Sequence, residues 1–140
     1  MALITGSLHK AIAALARSVA VTDGNPGFDA FEAGARDTLK AGVIQGFEVA
    51  YEQCWKMMKR WLETNVAAHV ADGVARRELF RLAAEQRLII DVDEWMTFHE
   101  SRNLTSHTYD AAHADEAFAV AVRFLPAARA FAAALDARNA

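Results

Sequence analysis

The sequence predicts an all-α fold, an up-and-down antiparallel bundle of four to five helices, and three observations carry that reading. Thirty-one of the 140 residues are alanine, the strongest helix former. Only two prolines and seven glycines are present, too few for the regularly spaced turns of an all-β chain. Apolar residues also recur at helical spacing over long stretches. The length is that of one domain, expected to cover residues 1–140, and the 54% hydrophobic share is ample for its core. A charged share of 24% separates the chain from disordered sequences.

Taken in order, a first helix is expected over roughly Leu3 to Ala20, striped by Leu8, Ile12, Leu15 and Val19. Asp23-Gly24-Asn25-Pro26-Gly27 is the strongest loop signal in the chain. A long second helix is expected from about Phe28 to Thr64, with Phe28, Phe31, Ala35, Leu39, Val43, Phe47, Tyr51, Trp55, Met58 and Leu62 along one face. Gly42 and Gly46, one turn apart, lower helix propensity by roughly 1 kcal/mol each, and a closely packed neighbour would offset that. Residues 65–75 form a polar, alanine-rich connection. A short third helix follows at about Arg76 to Arg87. Asp91 then reads as an N-cap with Glu94 completing a capping box, opening a fourth helix that runs to near Ser106. The fifth covers roughly Ala111 to Ala137, with Phe118, Val122, Leu125 and Leu135 inward and Pro126 as a site of kinking.

The net charge of −3 is unsuited to coating nucleic acid indiscriminately. Its distribution is uneven: residues 1–55 carry −2, residues 56–87 carry +3 and residues 88–140 carry −4. The basic island is most simply a solvated face. No apolar run approaches the ~18 residues of a membrane span, and Lys10 and Arg17 interrupt what would otherwise be a leader-like start. Neither a membrane association nor a signal peptide is expected. The single cysteine, Cys54, falls on the second helix's core stripe and suits a reducing cytoplasm, so a cytoplasmic location and an inert thiol are expected.

No dinucleotide fingerprint, P-loop or nucleophile elbow is present, and no cofactor is expected. His99-Glu100 begins like a zinc-protease motif, but the position of its second histidine is Asn103, and no metal is expected. One segment concentrates chemistry: Ser101-Arg102-Asn103-Leu104-Thr105-Ser106-His107-Thr108-Tyr109-Asp110. An arginine and a histidine without a metal suit a phosphodiester. The guanidinium forks onto phosphate oxygens, the imidazole moves a proton at neutral pH, and RNA carries its own nucleophile in the 2′-hydroxyl. On one straight helix Arg102 and His107 would stand ~140° apart, so either the helix breaks before His107 or two chains share the site. The same residues also fit a plain polar helix end, with Arg102 bonded to Asp110 or Glu100.

Three blocks carry a resemblance to a known family. They are Phe47-Glu48-Val49-Ala50-Tyr51-Glu52-Gln53-Cys54-Trp55-Lys56-Met57-Met58-Lys59, the approach from Ala83 to Trp95 with Leu88-Ile89, and Arg102 to Asp110, which fits an R-x4-H-x-Y pattern. In this order they resemble the HEPN superfamily, specifically the nucleotidyltransferase substrate-binding proteins that accompany minimal nucleotidyltransferases. The resemblance implies a helical bundle that forms a homodimer, with Arg102 and His107 in a cleft between protomers. It implies RNA as substrate, Arg102 polarising the phosphate, His107 as general acid and base, and Asn103 assisting in positioning. It also implies inhibition by a minimal nucleotidyltransferase partner that transfers AMP from ATP to Tyr109. An alternative from the same family is a non-catalytic subunit that completes a nucleotidyltransferase active site. The nucleotidyltransferase's own Gly-Ser and paired-aspartate motif is missing, so this chain does not itself transfer nucleotides.

Overall fold

The computed structural model describes residues 2–105 and 111–139. Five α-helices follow in order, α1 (Gly6–Ala20), α2 (Ala33–Asn65), α3 (Arg76–Glu85), α4 (Val92–Thr105) and α5 (Ala111–Arg138). A short 3₁₀ turn occupies Phe28–Ala30, and no strand occurs among the described residues. The all-α helical bundle expected from the sequence is the fold observed. Its axis is α2, which packs against each of the other four helices.

Helix ends differ from expectation for identifiable reasons. The long helix begins at Ala33, not Phe28, because Phe31 and Glu32 take extended backbone. The Arg36 guanidinium donates back to the Asp29 and Phe31 carbonyls and holds that break in place. Phe31, expected on the core stripe, is exposed. The third helix stops at Glu85, short of Arg87, because Arg87 turns into the left-handed region at φ 60°. The Leu88 amide then donates to the Ala83 carbonyl and the Arg87 amide to that of Ala84, the double closure of a Schellman motif with a non-glycine residue at its turn. Asp91 caps α4 as expected, its Oδ1 accepting the Glu94 amide at 3.1 Å.

The core is a cluster of aromatic rings wrapped in aliphatic side chains. Phe124 of α5 lies at its centre, edge-on to Phe47 and Phe98 at 5.1 Å and to Trp95 at 5.6 Å between centroids. The buried face of α5 is Ala117, Ala121, Phe124, Leu125, Ala128, Phe131, Ala132 and Leu135. Phe118 and Val122, expected inward, are only half-buried, whereas Phe124 and Phe131 are the large inward residues. Residues Ala112–Arg138 are long and apolar enough to cross a membrane by length and composition, but this face is packed into the bundle as a core helix would be. The helix continues through Pro126, which sits on its exposed side.

Of the two glycines in α2, only Gly46 meets a neighbour. A β-carbon there would stand 3.5 Å from the Leu15 Cα of α1, an ordinary contact, and Gly42 has nothing within 4 Å. The α1–α2 approach is therefore close at Gly46 without demanding glycine. Near the chain ends, the Asn139 carboxamide accepts the Leu3 amide at 2.7 Å and donates to the Leu3 carbonyl at 2.9 Å, which holds the segment before α1 against the end of α5.

Candidate functional site

Three polar residues of α4, His99, Arg102 and Asn103, share one side of that helix. At 100° per residue, His99, Arg102 and Asn103 lie within an arc of about 100°, and this arc faces α2 and α3. Facing it on α2 are Glu48, Tyr51, Glu52 and Trp55, which a helix also brings together through i, i+3 and i, i+4 spacing. The first and third blocks of the sequence resemblance thus meet across a helix interface.

Arg102 is a quarter exposed and lies between two carboxylates of α2. Its Nη1 is 3.8 Å from Glu48 and its Nε is 3.6 Å from Glu52. Both of these partners belong to the neighbouring helix α2. At such separations the pairs are electrostatic rather than tight hydrogen bonds, worth about 1 kcal/mol or less. They place the guanidinium beside the α2 carboxylates.

Asn103 is the second expected site residue that the structure describes. Its Nδ2 lies 3.3 Å from His99 Nε2, one turn back on α4. On the other side of the same ring, His99 Nδ1 is 2.9 Å from the hydroxyl of Tyr51. That hydroxyl accepts a hydrogen bond from Arg76 Nη1 of α3 at 3.3 Å. Arg76 in turn stacks on Trp55 with its guanidinium carbon 3.7 Å from the ring centroid, and the indole donates to Glu52 at 3.0 Å. A continuous polar chain therefore runs from Asn103 through His99, Tyr51, Arg76 and Trp55 to Glu52, and from Glu52 to Arg102.

The electrostatics of the chain fix its protonation. Burial, and then the Arg76 charge, lower the His99 pKa below the ordinary 6.5, so the ring is neutral at pH 7. Burial pushes the Tyr51 hydroxyl well above the ordinary tyrosine range, with Arg76 opposing it, so this phenol keeps its proton. Both nitrogens of a neutral His99 are engaged, one by Tyr51 and one by Asn103.

Cys54 is buried beneath this surface, and burial raises its thiol pKa, which matches the expected inert role. Trp55, expected on the core stripe of α2, lies half-buried at the rim of the polar chain and packs against the core. His107 and Tyr109 lie outside the described residues, as does the question of how the chain passes from α4 towards His107. A mainly apolar cleft of about 220 Å³ lies across α4 from the polar chain, lined by Ile44, Thr97, Ser101, Leu104 and Val120 among others. Among the described residues no group of three histidine, cysteine, aspartate or glutamate side chains forms a metal-ligand set.

Known proteins resemble the chain in sequence and in fold. A family model described as "Nucleotidyltransferase substrate binding protein like" matches residues 5–137. The chain belongs to this family. A relative from Haemophilus influenzae, described as "Probable ribonuclease HepT", is 39% identical over 100 residues, covering 70% of this chain and 68% of the relative. The solved structure of HI0074 from Haemophilus influenzae superposes with a TM-score of 0.87 at 32% identity, covering 92% of this chain and 96% of the other. That structure is described as revealing the fold of a substrate binding domain of a nucleotidyltransferase.

Residue-level reading of the sequence alone gave Arg102 and Asn103 but not Tyr51, His99, Arg76, Glu48 or Glu52. A signal for most of them was present. Glu48/Glu52 and Tyr51/Trp55 are i, i+4 pairs within one block, and His99/Asn103 is such a pair on the next helix.

Proposed function

We propose that this protein is a metal-independent endoribonuclease of the cytoplasm, the toxin of a pair whose antitoxin is a minimal nucleotidyltransferase. The observation that carries the reading is the polar face on which Arg102 and Asn103 of the R-x4-H-x-Y segment meet the charged block of α2 in an otherwise apolar bundle. The relative described as a probable ribonuclease supports it. The chemistry follows from the residue types. An RNA phosphate displaces Glu48 and Glu52 from Arg102, whose guanidinium then stabilises charge building on the phosphate oxygens. Asn103 assists in positioning that phosphate. The 2′-hydroxyl, losing its proton to His107 as general base, attacks the adjacent phosphorus, and the 5′-oxygen leaves as the His107 imidazolium, now the general acid, returns a proton to it. The products are a 2′,3′-cyclic phosphate and a 5′-hydroxyl end. A homodimer that shares the cleft brings Arg102 and His107 together despite their angular separation along one helix.

Regulation in this reading is covalent. The partner transfers AMP from ATP to Tyr109, two residues after His107, and the added bulk and negative charge exclude RNA phosphate from Arg102. The purified chain should cleave RNA in excess EDTA, and incubation with partner and ATP should both stop cleavage and add one adenylyl group to Tyr109 by mass spectrometry. A preparation free of contaminating nuclease that leaves RNA intact overturns the reading.

A second reading is favoured by the description of HI0074 as a substrate binding domain and by the carboxylates already paired with Arg102. Here the chain is a non-catalytic subunit that completes a nucleotidyltransferase site. It predicts that the partner gains activity or substrate affinity when the chain is added, with Tyr109 unmodified and no ribonuclease signal.

A further inference from the structure

The half-buried chain Asn103–His99–Tyr51–Arg76 is a feature that stability alone accounts for poorly. Polar side chains placed between helices of an apolar bundle lose hydration, and an apolar set of the same shape would serve packing as well. What the chain does accomplish is geometric. It ties the carboxamide of Asn103, on the exposed side of α4, to a buried phenol of α2 and a guanidinium of α3. Asn103 is exposed, and without such a tether its side chain would sample several rotamers. Its neighbour Arg102 is oriented separately, by Glu48 and Glu52.

We propose that His99 is a positioning residue of the ribonuclease site, fixing the Asn103 carboxamide through the ring contact Asn103–His99–Tyr51 while Arg76 anchors the far end of the chain. The proposal rests on the ribonuclease reading above. In this role His99 holds Asn103 and moves no proton, its ring nitrogens facing Tyr51 and Asn103. Two arrangements satisfy a neutral ring. Either Nδ1 donates to the Tyr51 oxygen while Nε2 accepts from Asn103 Nδ2, or the phenol donates to Nδ1 while Nε2–H donates to a turned Asn103 carbonyl. In both, one ring proton sets which atom of the carboxamide faces the ring and which faces outward. Arg76 and Tyr51 therefore bear on which end of Asn103 is offered to a phosphate, although neither reaches it.

A double-mutant cycle separates positioning from mere structural support. Cleavage of an RNA oligonucleotide would be measured for the full-length wild type, His99→Leu, Asn103→Ala and the double variant, with folding checked by circular dichroism. His99→Leu is expected to lower kcat about ten- to a hundredfold with KM changed little, since misplacement of a positioning group by ~1 Å carries such losses. The double variant is expected to be no slower than Asn103→Ala alone. Tyr51→Phe, an isosteric change that keeps the core filled, should reproduce part of the His99→Leu loss. His99→Gln, which restores a polar atom towards Asn103, should recover part of it. Losses that multiply in the double variant, or a His99→Leu enzyme with wild-type kcat, overturn the proposal and leave the ribonuclease reading standing. Wild-type RNA turnover no greater than that of Arg102→Ala overturns both.

Discussion

Arg102→Ala is expected to reduce RNA cleavage by roughly 100- to 1,000-fold, the usual cost of removing one donor aimed at developing negative charge. The loss should lie chiefly in kcat, because the guanidinium meets more charge in the transition state than in the bound substrate. Stability should hardly change. Arg102 pairs with Glu48 at 3.8 Å and with Glu52 at 3.6 Å, partly exposed contacts worth about 1 kcal/mol or less. An inactive variant with a wild-type denaturation midpoint is therefore the predicted outcome, measured by initial rates and urea unfolding on the same preparation. A variant that keeps most of its activity would contradict the role given to Arg102.

Phe124→Ala should have the opposite profile, a loss of stability of about 3–5 kcal/mol. The ring is fully buried and packs edge-on against Phe47, Trp95 and Phe98, with Tyr51 a little further off, so truncation leaves a cavity that four other aromatic side chains would have to close around. Against the 5–15 kcal/mol stability of a typical domain this is a large fraction. Urea unfolding should show the midpoint falling with the slope unchanged. Phe118→Ala is the control: that ring is half-buried and faces the Lys40 ammonium at 5.5 Å, so its loss should be clearly smaller. Equal losses at the two positions would contradict the packing described for α5.

The contrast between Phe118 and Phe124 shows what the sequence concealed. The buried face of α5 runs through positions 117, 121, 124, 128, 131 and 135, a regular alternation of four and three, yet three of those six residues are alanine. Alanine is scattered over every face of this helix, so hydrophobic periodicity could not separate the packed side from its neighbour. On α1 and at Asp91 the signal was strong, because large aliphatic residues alternate with polar ones and a cap residue sits at the boundary. The site divides in the same way. Arg102 and Asn103 stood out because their segment is locally dense in polar chemistry. Tyr51, Arg76 and His99 did not, because only packing brings together three helices from positions 23 to 48 residues apart. The basic island of residues 56–87 also takes on a more specific meaning, since one of its members, Arg76, stacks on Trp55 and anchors the polar chain.

In the proposed reaction this α2–α4 face, with the segment that follows Arg102, breaks RNA by using the RNA's own 2′-hydroxyl. Analysis of the RNA ends formed by the purified wild type in excess EDTA tests it most directly. The expected products are 2′,3′-cyclic phosphate and 5′-hydroxyl ends, formed by the wild type and absent with Arg102→Ala and His107→Ala. Ends of another kind, or the same products from all three proteins, would contradict it.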